Sequence, residues 1–363
     1  MQKYPAMEGF APAILSVYQK NKEKFWAAVL APFLSSQFSV ASWMSHLSVD
    51  IRLISAFKGL EKDARKLQQE FGRPLGLDIS GWESNRLQYF KDAYPVFAFL
   101  AVWMDEQGLD DLLNDFGMIL QAGVFAVAGY GILDENVDSD DPSPVQVLTA
   151  QALISEYETR ALKIFGVTRV NLDVLHKMRS LFLEAEIREK AMRWKGSPYS
   201  LDHPEQLGAK GANAVSPFML CLERLGRAER IDDYWQVFLF FGAAIQMIDD
   251  WKDLEKDLAA GHYSFVTLGR ENLLDENDPA TVAQILRNDQ DLVNSTYEQS
   301  KQMIHRAKEI LERLDDTILQ KLVEVTEARV ERFFQKEMLQ NKNESVRRDR
   351  FIIRVRACQA KGN

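Results

Sequence analysis

The chain has 363 residues, of which 46% are hydrophobic and 27% are charged, and its formal net charge is −9. This composition excludes a disordered or fibrous chain, and the negative charge gives no general attraction to nucleic acid or to anionic lipid. The two cysteines, Cys221 and Cys358, cannot supply a disulfide framework, and residues 1–5 lack an arginine-led apolar signal, so we expect a cytoplasmic protein.

Apolar residues recur at three- and four-residue spacing along most of the chain, which is typical of helices that bury one face. In chain order, the stretches with this spacing are 10–33, 40–71, 82–104, 109–137, 145–165, 172–194, 211–225, 234–258, 282–314 and 318–338. Turn-forming clusters that contain glycine or proline separate them at 72–74, 141–144, 196–198 and 277–279. We therefore predict an all-α fold, a large single helical bundle.

The stretch 116–133 is the most apolar part of the chain, with 18 residues and no charge. This length meets the usual threshold for a membrane-spanning helix. Gln121 and several glycines dilute its hydropathy, however, and the chain contains no second equal stretch. A buried central helix therefore explains the stretch better than a membrane span does.

Two acidic clusters, 115 residues apart, each follow an apolar helical stretch. They are Asp134, Glu135 and Asp138 in the first acidic cluster, and Asp249, Asp250 and Asp253 in the second. Residues four apart lie on one face of a helix, so each cluster presents two carboxylates side by side. These carboxylates repel each other unless a cation lies between them, and Mg²⁺ binds carboxylate oxygens while it keeps waters and substrate phosphates.

Acidic pairs at this spacing also occur on solvated helix faces. The apolar run 240–245 leads directly into the second cluster, which favours the lip of a pocket over a solvated face. The presence of two such clusters in one chain therefore predicts a site for metal ions and a diphosphate.

The pattern resembles the class I isoprenoid synthases, and most closely their polyprenyl synthetase branch, whose helices carry D-D-x-x-D and G-x-x-x-Q-x-x-D-D-x-x-D. The second motif is matched in full by Gly242, Gln246, Asp249, Asp250 and Asp253. The first is matched with Glu135 in place of its second aspartate, and Lys210-Gly211-Ala212 resembles the K-T-A segment of the family with glycine for threonine. The resemblance covers residues 90–335.

The resemblance implies a helical core at 81–340 with a central active-site cavity, preceded by N-terminal helices at 1–80 and followed by a basic tail at 341–363. It implies three Mg²⁺ ions as cofactor, held by all six residues of the acidic clusters, and a linear prenyl diphosphate as substrate. Asp134, Asp138, Asp249 and Asp253 would then be catalytic, Lys210 would bind the diphosphate, and Gln246 would be a further substrate-binding residue.

Further cations precede the Lys210 segment. Arg188, Lys190 and Arg193 crowd the end of one predicted helix, and arginine suits bidentate contact with phosphate, so Arg188 and Arg193 are candidate substrate-binding residues. The alternative for each is a solvated charge paired with a nearby glutamate, at 184, 186 or 189.

Aromatic residues upstream of the first acidic cluster are candidates for the wall of an apolar chamber. Phe125 and Tyr130 lie nine and four positions before Asp134, where the family sets product chain length. Ordinary core packing is the alternative for both. The small residues Ala128 and Gly129 between them suggest a deep cavity and a long substrate.

The reaction class follows from features that the elongating members have and that this sequence lacks. No basic G-G-K-R-type segment precedes the first cluster, and Ser139-Asp140-Asp141 follows it where the family has an arginine pair. We therefore expect ionisation and cyclisation of one linear prenyl diphosphate of 15 to 25 carbons. A chain-elongating or prenyl-transferring enzyme is the first alternative, and a non-catalytic helical subunit is the second.

The histidines and the basic C-terminal stretch give weaker indications of ligands and partners. Five scattered histidines form no zinc motif. His262 follows the second cluster and is a candidate contact for the diphosphate, and a loop histidine without a role is the alternative. The basic stretch 347–356 is a solvated chain end or, alternatively, a flap over the diphosphate or a membrane contact. We expect no nucleic acid and at most peripheral membrane contact, and a homodimer stays open.

Overall fold

The computed structural model describes residues 4–20, 22, 51–72, 94–139, 141–200, 202–270, 272–273 and 277–360. These residues form helices and their connections, without a strand among them, so the all-α prediction is confirmed. The predicted stretches 10–33, 40–71 and 82–104 lie partly outside the described residues, and Asp140 lies outside them as well.

The helices of the first part are α1 (Pro5–Glu8), α2 (Phe10–Lys20), α3 (Ile51–Gly72), α4 (Tyr94–Glu106) and α5 (Asp110–Asn114). Those of the central part are α6 (Phe116–Asp138), α7 (Pro144–Phe165), α8 (Arg169–Met192), α9 (Ala212–Arg224) and α10 (Ile231–Ala259). The last are α11 (Pro279–Asn288), α12 (Gln290–Leu314) and α13 (Thr317–Ala360). Short 3-10 segments at Pro204–Gly211, Ala228–Arg230 and Phe265–Thr267 connect some of them.

Two predicted helices are each divided by an aspartate. The stretch 109–137 breaks at Asp115, between α5 and α6, and the stretch 282–314 breaks at Asp289, between α11 and α12. The Asp289 carboxylate accepts hydrogen bonds from the backbone N–H groups of Asp291 and Leu292 and so caps the start of α12. At the other end, α13 continues to Ala360 instead of ending at 338 as predicted.

Helix α6 is the buried central helix. Among the described residues it is the one helix long and apolar enough to cross a membrane, and 78% of its most apolar window is buried inside the protein. It packs along α7, where a Cβ atom on Gly129 would lie 2.8 Å from Ile154 Cγ1. Gly129 therefore allows two helices to approach closely, and the suggestion that it opens a deep cavity is wrong.

Helix α10 lies at the centre of the second half, against α9, α11, α12 and α13. The 3-10 segment Pro204–Gly211 also packs along it, because Gly208 and Gly242 face each other without side chains. A Cβ on Gly208 would lie 2.1 Å from the carbonyl oxygen of Leu239, and a Cβ on Gly242 would lie 3.1 Å from Gly208 Cα. This contact of two backbones holds the segment that carries Lys210 against α10.

The described N-terminal helices pack on the same core. Helix α1 contacts α3 and α6, and α2 contacts α4. The buried Asp316 carboxylate, at the start of α13, accepts hydrogen bonds from Trp103 Nε1 of α4 at 2.9 Å and from the Tyr234 hydroxyl of α10 at 3.0 Å. The division at residue 80 stays a prediction, since residues 73–93 lie outside the described part.

Candidate active site

Both acidic clusters line one cavity of about 450 Å³. The first lies on the last turn of α6 and the second on the last third of α10, so the two helices bring carboxylates to the cavity from different sides. All six residues of the clusters are in its wall, together with Lys210 and Gln246. We call this space the acidic cavity.

Lys210 lies between α6 and α8. Its Nζ donates a hydrogen bond to Glu189 Oε2 at 2.7 Å and is 3.2 Å from Asp134 Oδ1 and 3.3 Å from Glu186 Oε1. Burial by itself lowers the pKa of the lysine, but the carboxylates of Glu189, Asp134 and Glu186 outweigh burial and raise the pKa well above its usual value. Lys210 is therefore charged, and it offsets part of the negative charge of the first cluster.

The end of α6 is connected to the end of α10 by two basic residues. His262 Nε2 lies 3.8 Å from Asp138 Oδ1. Arg193 donates from Nη1 to the carbonyl oxygen of Asp138 at 2.9 Å and from Nε to that of Ala260 at 2.8 Å. Burial lowers the pKa of His262, which favours a neutral imidazole at neutral pH.

The second cluster contains carboxylates in different environments. The Asp250 carboxylate is buried and accepts hydrogen bonds from Gln246 Nε2 at 3.0 Å and from the backbone N–H of Phe265 at 3.3 Å. Asp249 is more exposed and pairs with Lys252 at 3.0 Å. Asp253 faces the cavity one turn further along α10.

The electrostatics of the acidic cavity favour a bound cation. Burial raises the pKa of Asp138, and it raises the pKa of Asp250 to about 8 and that of Asp257 to about 7. The raised pKa values mean that cationic and hydrogen-bonding groups of the protein do not fully offset the cost of burying the negative charges of these carboxylates. A hard divalent ion would do so, and the all-oxygen donor set of the two clusters fits Mg²⁺.

Among the described residues, no group of three or more aspartate, glutamate, histidine or cysteine side chains is arranged so that it could hold a metal ion by itself. Mg²⁺ does not need such a group, since it is usually held by one or two carboxylates and completes its shell with water and substrate phosphates. The arrangement thus fits ions that are bound together with a phosphorylated ligand.

An apolar chamber of about 190 Å³ adjoins the acidic cavity. It lies between α9, α10 and the 3-10 segment Pro204–Gly211, and Gln246 lines both spaces. Its wall includes the aromatic residues Phe99, Phe218, Trp235, Phe238 and Phe241. From Gln246 the chamber follows α10 back to Trp235, a distance of about 16 Å along the helix axis.

Phe125 and Tyr130 do not form the wall of this chamber or of the acidic cavity. The Phe125 ring is buried against Phe71, with a centroid distance of 5.0 Å, and Tyr130 is buried against Phe182 at 4.8 Å. Phe125 lies nine residues before Asp134, or about 180° around the helix, so its side chain points away from the cavity. Tyr130 shares the face of Asp134, but α8 covers it there.

The two arginine candidates also lie outside the wall of the acidic cavity. Arg188 Nη1 donates to Gln206 Oε1 at 2.8 Å. Arg193 donates to the carbonyl oxygens of Asp138 and Ala260. Lys190 Nζ donates to the carbonyl oxygen of Ser139 at 2.9 Å. Of the three glutamates named as alternative partners, at 184, 186 and 189, the last two have carboxylates that face Lys210.

Sequence reasoning missed several residues of the acidic cavity. Glu189 lines it and accepts hydrogen bonds from Lys210 and from the Tyr199 hydroxyl, and Glu186 is buried behind Lys210. The spacing of three between these glutamates places both on one face of α8, which is a signal that could have found them. Asp257 continues the stripe of Asp249 and Asp253 by one more turn.

Comparisons with models of known protein families, with curated proteins and with solved structures find no match for this chain. The resemblance to class I isoprenoid synthases therefore rests on the sequence motifs alone.

Proposed function

We propose that the protein is a Mg²⁺-dependent terpene synthase of the class I type, which ionises one linear prenyl diphosphate and cyclises the resulting cation. One observation carries this proposal: a cavity lined by two acidic clusters and a half-buried lysine opens beside an aromatic, apolar chamber. An amphiphile with a diphosphate head and a hydrocarbon tail matches these two adjoining spaces.

The acidic cavity is suited to hold the diphosphate group. The six residues of the acidic clusters would hold the Mg²⁺ ions, whose charge stabilises the departing diphosphate when they are bound. Lys210 is placed to bind a diphosphate oxygen, because its Nζ faces the cavity beside Asp134. Gln246 lies where the head and the tail of such a substrate would meet.

The apolar chamber is suited to protect a carbocation. When the carbon–oxygen bond breaks, its electron pair leaves with the diphosphate and the allylic cation stays in the chamber. A double bond of the same chain then attacks the cation, and loss of a proton or capture of one water ends the reaction. Phe99, Phe218 and Phe238 line the chamber, and an aromatic face stabilises a positive charge by about 0.5 to 2 kcal/mol.

The charge of the cavity favours a reaction with one diphosphate substrate. Eight carboxylates line the described wall, against the two lysines Lys210 and Lys256 and His262. A second diphosphate would have to enter past these carboxylates without a further pair of cations in the wall. This argues against a prenyl-transferring enzyme.

The test is incubation of the purified protein with Mg²⁺ and each linear prenyl diphosphate of 10 to 25 carbons, with and without radiolabelled isopentenyl diphosphate. We expect a cyclised or hydroxylated terpene and free diphosphate from one of them, without incorporation of the label. A longer labelled chain would instead identify an elongating enzyme. No turnover of any substrate, together with no binding of Mg²⁺ and diphosphate, would identify a non-catalytic protein.

A further inference from the structure

The apolar chamber beside the acidic cavity runs along one face of α10. Trp235, Phe238, Gly242 and Gln246 line it at spacings of three and four residues, so they lie on the same side of the helix. Gln246 also lines the acidic cavity, so this end of the chamber meets the space proposed for the diphosphate. Trp235 lies about 16 Å away along the helix axis. A substrate tail that enters the chamber at Gln246 therefore points toward Trp235.

Trp235 separates the chamber from a surface ion pair. Its side chain is buried, and the Nζ of Lys177, on α8, lies 6.0 Å from the centre of its ring. Lys177 is not in the wall of the chamber, and it pairs with the exposed Asp232 at 2.6 Å. The indole ring is thus in contact with the chamber and with a solvated ion pair. A tail cannot continue past this point unless the indole moves.

Packed aromatic rings fix the shape of the same end of the chamber. Phe218 of α9 lies against Phe238 of α10, with ring centroids 5.4 Å apart, and against Phe99 of α4 at 5.6 Å. These three rings line the chamber, and Phe238 is one helical turn from Trp235. Because a closely packed interior has few voids, added volume displaces side chains that are already in contact. A longer tail therefore meets resistance at this end.

The length of the chamber limits the number of isoprene units in a tail. An extended peptide residue spans about 3.3 to 3.6 Å with three backbone bonds, so an isoprene unit with four spans about 4.5 to 5 Å. Three units then measure about 14 to 15 Å, and four measure about 18 to 20 Å. A tail of 15 carbons can therefore reach from Gln246 to Trp235, whereas a tail of 20 carbons is too long.

The volume of the chamber leads to the same limit. An apolar cavity of about 150 Å³ encloses a benzene molecule, which corresponds to about 25 Å³ for each carbon atom. The chamber of about 190 Å³ then encloses about eight carbons. The first isoprene unit carries the diphosphate and would lie at the junction with the acidic cavity, so the two spaces accommodate about thirteen carbons of the tail. This total is closer to three isoprene units than to two or four.

We infer that the substrate has a tail of three isoprene units, 15 carbons, and that Trp235 is the residue that limits the tail to this length. The inference rests on the proposed function and narrows its substrate class. It places the limit on α10, whereas the resembling family sets chain length upstream of the first acidic cluster, where Phe125 lies. Phe125 is outside both spaces and packs against Phe71.

The experiment measures binding of prenyl thiolodiphosphates, in which sulfur replaces the oxygen of the bond that would break, so that binding is observed without turnover. Isothermal titration calorimetry of the full chain with Mg²⁺ compares tails of 10, 15, 20 and 25 carbons. The wild type should bind the 15-carbon tail at least about tenfold more tightly than the 10-carbon tail, because more apolar surface is buried. It should bind the 20-carbon tail at least about tenfold more weakly than the 15-carbon tail, because the chamber is then overpacked.

Trp235→Leu tests the limit directly. The Nε1 of Trp235 makes no hydrogen bond to a described residue, so the substitution breaks none. In this variant the affinity for the 20-carbon tail should rise at least about tenfold and reach that for the 15-carbon tail. Trp235→Phe removes only one ring and serves as a second variant if Trp235→Leu does not fold. It should raise the affinity for the 20-carbon tail by about threefold.

Phe125→Leu is the matched control. It also replaces a buried aromatic side chain by leucine, and it lies where the resembling family sets chain length. This variant should keep the wild-type order of affinities for the four tails. Circular dichroism verifies that each variant is folded.

The outcomes distinguish this inference from the proposed function. Equal binding of the 15- and 20-carbon tails by the wild type would overturn the inference, as would an unchanged order of affinities in a folded Trp235 variant. A changed order in Phe125→Leu alone would place the limit on α6. If the 15-carbon thiolodiphosphate binds best but the 15-carbon diphosphate is not ionised with Mg²⁺, the proposed reaction is wrong and the inferred limit on the tail stands.

Discussion

Lys210 has three carboxylates within 3.3 Å, those of Asp134, Glu186 and Glu189. In this arrangement the ammonium group of Lys210 is already paired with carboxylates of the protein. A diphosphate can bind the lysine only if cations take over the carboxylate of Asp134, which is part of the first acidic cluster. Binding of metal and binding of diphosphate are therefore expected to depend on each other.

Replacing the lysine by a neutral residue of similar length tests this dependence. We expect Lys210→Met to weaken binding of inorganic diphosphate in the presence of Mg²⁺ by at least about tenfold, since a charge-assisted hydrogen bond contributes about 1.5 to 3 kcal/mol. Isothermal titration calorimetry measures the affinity. Lys256→Met, at an exposed lysine of the same cavity, is the control and should have a smaller effect. Equal effects would mean that Lys210 has no special contact with the ligand.

Asp249 tests the role of the second cluster. The change Asp249→Asn keeps the shape of the side chain and removes its charge, so we expect turnover to fall by at least about a hundredfold, as for loss of one electrostatic stabiliser. Release of diphosphate measures the rate. Glu255→Gln, at an exposed position of the same helix, should leave the rate unchanged. Normal turnover by Asp249→Asn would contradict metal-assisted ionisation.

Glu186 predicts a dependence of stability on pH. Burial raises the pKa of its carboxyl to about 8, and neither of its oxygens makes a hydrogen bond to a described residue. The folded protein then keeps a proton that the unfolded chain releases above its ordinary pKa of 4.5. This residue therefore lowers the free energy of unfolding progressively as the pH rises from about 4.5 to about 8, with a slope of at most about 1.4 kcal/mol per pH unit.

In the variant Glu186→Gln the side chain does not titrate, so unfolding releases no proton from this position. In metal-free buffer, its stability relative to the wild type should increase between pH 5 and pH 8, as measured by urea unfolding at each pH. The matched variant Glu184→Gln changes an exposed glutamate of the same helix and should show no such trend. A constant difference between Glu186→Gln and wild type across this range would mean that Glu186 is ionised in the folded protein.

At the scale of elements, Gly208 and Gly242 allow the segment that carries Lys210 to pack against α10. The 3-10 segment Pro204–Gly211 can lie against α10 only because Gly208 has no side chain. Gly208→Ala would drive a methyl group into the Leu239 carbonyl, and we expect a loss of about 1 to 3 kcal/mol in the free energy of unfolding. The segment must then move away from α10, so diphosphate affinity should fall too.

Gly211→Ala is the control for this substitution. Gly211 belongs to the same segment, but no atom lies within 4 Å of a Cβ placed there. Thermal unfolding and calorimetry with Mg²⁺ and diphosphate should therefore give values near those of the wild type. Similar losses in both alanine variants would show that the flexibility of the segment, and not its contact with α10, is what matters.

The same elements show what the sequence can predict. Helical spacing within one helix is local information, so it placed Asp249 and Asp253 on one face. The proximity of Lys210 to Asp134 depends on packing of segments far apart in the chain and could be inferred only from the resemblance. Phe125 was misplaced because its distance along the chain was considered and its angle around α6 was not. The break at Asp289 was missed because the apolar spacing continues across a capping aspartate.

At the scale of the whole molecule, binding of Mg²⁺ with diphosphate should stabilise the fold, because the unfolded chain has no such site. At a ligand concentration a hundredfold above Kd, the expected gain is about 2.7 kcal/mol, observed as an increase in Tm. Neither Mg²⁺ alone nor diphosphate with a chelator should produce the full increase. The double variant Asp134→Asn and Asp249→Asn should lose it, and an unchanged increase in this variant would place the ligand elsewhere.

The position of Arg193 affects the electrostatic potential at the ends of α6 and α10. It binds the carbonyl oxygens at the ends of α6 and α10, so both helices direct their C-terminal ends toward the same opening. The macrodipole of a helix is equivalent to about half a negative charge at that end. The two helix ends therefore add to the negative potential of the carboxylates, and one guanidinium offsets them through acceptors that do not titrate. These two hydrogen bonds therefore join the ends of α6 and α10 at any pH at which the protein is folded.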